Sequence, residues 1–196
     1  FDKATCSSPV YPRKLNPITL VNGGGWLNPG NASTSNGSYA TAELNQTNQT
    51  STGFLSATNF GFNLPPSVIK GIKVEVAKVA SFSLIGLIDK RVSLIKNGIV
   101  GPTNKAKVGP PLDFWGSFTP PPGTVIPYNA SYGRRYDLWG EDFTYNDINS
   151  PNFGVALSVQ LGIVGPGALP TDTATAYVDG IRITVYYELS ENNGAA

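Results

Sequence analysis

The sequence predicts an all-β fold, a jelly-roll-like antiparallel β-sandwich with an extended N-terminal arm. Three observations predict it. Apolar and polar residues alternate over short runs, turn residues interrupt those runs about every 8–12 positions, and no segment carries an apolar stripe at helical spacing over three turns. Gly 22 and Pro 16 provide the interruptions, and a hydrophobic content of 40% in 196 residues is enough for one core. About seven short strands in a chain of this length fit a sandwich or jelly roll, with a closed barrel as the second expectation.

In chain order, residues 1–12 are polar, carry Pro9 and Pro12, and read as an arm. Weaker strands are expected at 17–21, 39–44 and 54–60. Residues 65–70 suit a helical turn, since Pro66 fits its first position. Clear strands follow at 71–79, 91–96, 153–161 and 177–189. In the first of these, Ile72, Val74 and Val76 face a core while Lys73 and Glu75 face solvent. Phe153, Val155, Leu157, Val159 and Leu161 repeat the pattern, as do Ile181, Ile183, Val185 and Tyr187. Residues 109–128 hold Pro110-Pro111 and Pro120-Pro121-Pro122. Proline cannot donate to a ladder, so this stretch reads as a loop, pinned to the sandwich by Phe114, Trp115 and Phe118.

The composition excludes more chemistry than it suggests. His is absent, so a Ser-His-Asp triad, a Cys-His pair and any His-ligated metal are excluded. A single Cys, Cys6, excludes an internal disulfide and a Cys-rich zinc site, and it is expected to have no essential role. Lys+Arg 14 against Asp+Glu 13 leaves +1, and the basic pairs Lys105/Lys107 and Arg134/Arg135 lack the density of a nucleic-acid footprint. No apolar run reaches the ~18 residues of a membrane-spanning helix. Neither a cofactor nor an enzymatic activity is expected. With Phe1 first and no Met, the chain reads as a mature product or as one whose start is missing. If a signal peptide was removed the protein is secreted, and the expected location is extracellular or at the cell surface.

Asn-x-Ser/Thr sequons stand at Asn31, Asn36, Asn45, Asn48 and Asn129. The first four crowd into a polar, charge-poor stretch, as a glycan-bearing surface would. The plainer account is that a loop rich in Ser, Thr and Asn makes sequons by accident. The densest acidic group is Asp137, Glu141, Asp142 and Asp147. It suggests a calcium site or a pair of glycosidase carboxylates, although its spacing matches no EF-hand loop. Asx turns and helix caps in a solvated loop account for it equally. Trp26, Trp115 and Trp139 are candidates for a sugar-stacking platform, though Trp in a sandwich more often packs at the core edge.

Several blocks carry a resemblance. They are Gly25-Trp26-Leu27-Asn28-Pro29-Gly30-Asn31-Ala32, Asn59-Phe60-Gly61-Phe62-Asn63-Leu64-Pro65, Arg91-Val92-Ser93-Leu94-Ile95-Lys96-Asn97-Gly98, and Tyr177-Val178-Asp179-Gly180-Ile181-Arg182-Ile183-Thr184-Val185-Tyr186-Tyr187. Together they resemble the jelly-roll-type sandwich domains of phage tail appendages and of extracellular fibre subunits. The resemblance implies a structural or adhesive module rather than an enzyme. It divides the chain into an arm at 1–22, a sandwich at 23–189 and a tail at 190–196. For a fibre subunit it further implies assembly by strand donation. The partners are then copies of the chain itself in a helical homopolymer bearing covalent N-linked glycans, with Leu15, Ile18 and Leu20 on the assembly strand. Two alternatives stand beside it. The segment serves as the first strand of its own sandwich, or the module is a carbohydrate-binding adhesin using its tryptophans.

Overall fold

A computed structural model describes residues 5–7, 10–11, 14–17, 25–81, 83–108, 114–116 and 127–190, with the backbone alone at 5 and 14–17. Its strands are β1 (Thr5–Cys6), β2 (Lys14–Pro17), β3 (Ala40–Leu44), β4 (Leu55–Thr58), β5 (Ser67–Ala80), β6 (Ile85–Lys96), β7 (Ile99–Val100), β8 (Tyr128–Arg134), β9 (Gly154–Val164) and β10 (Ala174–Leu189). A 3-10 turn at Pro29–Ala32 and a single helical turn, α1 (Tyr145–Asn149), complete the described elements.

The strands form two five-stranded antiparallel sheets. In the first, β10 lies between β5 and an edge shared by β1 and β3, and β8 follows β5. The second runs β2-β4-β9-β6-β7. The expected all-β sandwich is therefore the architecture.

Alternation places the core. Ile72, Val74 and Val76 of β5 are buried, as are Phe153, Val155, Leu157 and Val159 at and along β9. Lys73 and Glu75 point outward and pair at 3.4 Å. On β10 the buried residues are Ala174, Ala176 and Val178, then Ile181, Ile183 and Val185. The parity changes because the register against β5 slips between Val178 and Gly180. The extra residue, Asp179, is re-aimed as bulged residues are. Its Oδ1 accepts the backbone N–H groups of Asn36 and Gly37 at 3.1 and 2.9 Å. This ties the turn before β3 to the middle of β10.

One local expectation is corrected, and two elements are added to those expected. Residues 67–70 extend β5 instead of forming a helical turn, because Val68 and Ile69 take up ladder positions opposite Glu188 and Tyr187. Pro65 and Pro66 end just ahead of the strand, where a missing N–H costs no ladder bond. Strand β8 was not expected, yet Ala130 and Tyr132 are buried on its inward parity and it pairs with β5 along its length. Helix α1 was also unexpected. Thr144 caps it and Asp147 returns the bond, forming a capping box.

Candidate functional site

The open edges of the two sheets are where the N-terminal segment lies. Strand β3 covers β10 only from Ala174 to Val178. Beyond that, the Ser33 bridge to Gly180 and the Val10 bridge to Ile183 continue the edge. Strand β1 ends it, with Thr5 opposite Tyr187 and Cys6 opposite Tyr186. Ser7 N–H donates to the Val185 carbonyl at 2.9 Å, and Val10 and Ile183 exchange backbone bonds of 3.0 Å each way. The same segment then reaches the other sheet. There β2 pairs with β4, Leu15 opposite Ala57 and Pro17 opposite Leu55. Main-chain bonding thus closes two strand edges that would otherwise carry unpaired donors and acceptors. Ile18 and Leu20 lie outside the described residues, as does the tail at 191–196.

The sequons divide by what their amide groups do. Asn36, Asn48 and Asn129 are exposed, Asn31 and Asn45 half-buried. The Asn31 side-chain nitrogen donates to the Tyr39 carbonyl at 3.1 Å, so the atom a glycan would occupy is engaged. At Asn45 the side-chain oxygen accepts from the Thr47 N–H at 3.0 Å and the Thr47 hydroxyl at 3.1 Å. That Asx turn leaves the bonding at the amide oxygen. Asn36 makes a similar turn, accepting from Ser38 N–H at 3.0 Å. Asn129 lies beside Ser35, Glu75 and Arg182 in a shallow cleft on the outer face of the first sheet.

The acidic group is drawn apart into local tasks. Asp137 pairs with Lys105 at 2.7 Å and accepts the Trp139 N–H at 2.9 Å. Burial pushes its carboxyl up, but these bonds and the Lys105 and Arg134 charges hold it below the usual carboxylate range. Asp147 is likewise lowered against its burial by the Thr144 capping bonds and by Lys96. Glu141 is raised by burial, with Lys96 opposing, and its Oε2 is buried without a partner. Among the described residues no group of three His, Cys, Asp or Glu gathers as a metal-binding set.

All three tryptophans are buried. Trp26 donates to the Gly53 carbonyl at 3.2 Å, Trp139 to that of Ile72 at 2.9 Å, and Trp115 to Asp89 at 2.8 Å. None presents a ring face for a sugar to stack on.

The feature that sequence reasoning missed lies between the sheets. Lys78 of β5 and Asp89 of β6 face each other across the sandwich, with Nζ 2.6 Å from Oδ1 and side chains 2% and 0% exposed. Tyr132 of β8 accepts from Lys78 Nζ at 2.8 Å and donates to Asp89 Oδ2 at 2.7 Å. The signal was present in the parity. Lys78 follows Ile72, Val74 and Val76 on the buried face, and Asp89 follows Ile85 and Leu87.

No family model, no curated protein and no solved structure matches this chain.

Proposed function

We propose that the chain is a non-catalytic structural subunit that assembles head to tail into an extracellular, glycosylated fibre by donating its N-terminal segment to the next copy. The observation that carries this reading is the path of that segment. It holds to the body through edge pairing on both sheets, at β10 and at β4. Bonds of this kind form equally well to the same edges of a neighbouring copy. Exchange of an identical element is a low-cost route to assembly, and a heterologous contact that does not close gives a filament. Pro9, Pro12 and Pro17 stiffen the segment and lower the entropy lost on docking.

The strand order supports a jelly roll as the finer description. The eight strands β3 to β10 divide as β3-β10-β5-β8 and β4-β9-β6-β7, with β1 and β2 added outside them. Two interlocked Greek keys give such a division. Glycans are assigned to Asn36, Asn45, Asn48 and Asn129, whose amide nitrogens are not tied to a carbonyl as that of Asn31 is.

Removal of residues 1–22 tests the reading. The truncated protein is expected to remain soluble and discrete, and a synthetic peptide of residues 1–22 to bind it. Negative-stain images of the full chain should show long fibres. Normal fibres from the truncated protein would overturn the assignment of the segment.

A further inference from the structure

A buried ion pair is a weak source of stability, since apolar side chains of similar volume serve at least as well. What Lys78 and Asp89 provide instead is an amine held against a carboxyl group with water excluded. The two side chains come from opposite sheets. Trp115 Nε1 donates to Oδ1 at 2.8 Å, and Tyr132 Oη donates to Oδ2 at 2.7 Å while accepting from Nζ. The Lys107 N–H adds a longer bond to Oδ2, 3.3 Å. The Trp115 and Tyr132 rings flank the amine with centroids 4.6 and 5.5 Å away.

We infer that Lys78 and Asp89 condense spontaneously into an intramolecular isopeptide bond between Nζ and the Asp89 carboxyl carbon. One proton passes from the ammonium to Oδ2, leaving an amine beside a carboxylic acid. The nitrogen lone pair attacks the carbon, forming the C–N bond and moving the C=O electron pair onto Oδ1, where Trp115 Nε1 stabilises the developing charge. Tyr132 relays a second proton from the nitrogen to Oδ2, which leaves as water when the carbonyl re-forms. The nitrogen keeps one hydrogen, the products are one amide and one water, and nothing is oxidised or reduced. Two buried charges vanish in the reaction, and desolvation is what makes such charges costly. The closed site also excludes the water that hydrolysis would need. The bond joins the two sheets covalently and is independent of how copies of the chain assemble.

Mass spectrometry of the wild-type chain, produced without glycans and denatured, reads this directly. The expected mass is about 18 Da, one water, below that of the sequence. Trypsin should no longer cut after Lys78, so residues 74–90 should appear as one loop-linked peptide lighter by the same water. Lys78→Met and Asp89→Ala should each restore the sequence mass. Tyr132→Phe keeps the ring and removes the relay, so the light form should accumulate about 100-fold more slowly after refolding. A wild-type mass equal to the sequence mass, with cleavage after Lys78, would overturn the proposal. So would loss of water with Lys78 still cleavable, since that places the dehydration on Asp89 alone. Equal rates for Tyr132→Phe and wild type would overturn the role given to Tyr132.

Discussion

At the scale of single residues, the buried cluster and the loop carboxylates differ in what a substitution leaves behind. Asp89→Ala leaves Lys78 buried without its carboxylate, and unfolding should become easier by about 3–5 kcal/mol in denaturant titration. The paired change Lys78→Met with Asp89→Leu should recover only the part of that loss due to the unpaired charge, because it too lacks the covalent link between the sheets. In the loop, Asp137 and Asp147 have folded carboxyls below the usual range. Their stabilisation is present above the unfolded range near pH ~4 and is lost as pH falls through the folded values. Glu141 runs the other way, raised by burial. Its contribution is favourable in acid and is lost as pH rises through its folded value. Asp147→Asn should therefore flatten the acid limb of a plot of Tm against pH. Glu141→Gln should raise Tm at pH ~7 and lose that advantage below pH ~4. The reverse ordering of these two variants would contradict the assigned directions.

At the scale of elements, close backbone approach sets what the strands tolerate. A Cβ on Gly154 would collide with the Ala57 carbonyl oxygen where β4 meets β9. Gly154→Ala should cost about 1–3 kcal/mol or more and loosen that pairing first, as amide exchange at residues 55–58 would show. The elements legible in the sequence were those with sustained alternation. The cores of β5, β9 and β10 were readable because their inward residues are large and apolar. Strand β8 was not, because Asn129, Ser131 and Gly133 interrupt Ala130 and Tyr132, and its inward face rests on one aromatic ring. The bulge at Asp179 left no mark in the pattern, since Ile181 to Tyr187 alternate correctly on their own side of it. The Lys78–Asp89 pair escaped for a related reason. Both residues break an apolar pattern. The strand expected at 71–79 includes Lys78 but its inward parity is masked by the charge, and Asp89 falls before the strand expected at 91–96. The acidic group at 137–147 and the three tryptophans stood out by composition. The structure uses Asp137 in a turn and an ion pair, Asp147 in a helix cap, and the tryptophans in packing.

At the scale of the whole molecule, the proposed assembly depends on where the N-terminal segment goes. The body supplies two edges, on β10 and β4, and the segment satisfies both by backbone pairing. A subunit that keeps its own segment stays monomeric, and one that passes it on becomes a link in a chain. The single native cysteine makes the choice measurable. Cys6 sits directly opposite Tyr186, and opposed residues on antiparallel strands lie within the reach of a disulfide. Tyr186→Cys places a second thiol at that position. After mild oxidation of native material and electrophoresis without reductant, strand donation predicts a ladder of covalent multimers that collapses to one band on reduction. A disulfide confined to the monomer, in material that still forms fibres, would contradict strand donation and place the assembly contact elsewhere on the sandwich.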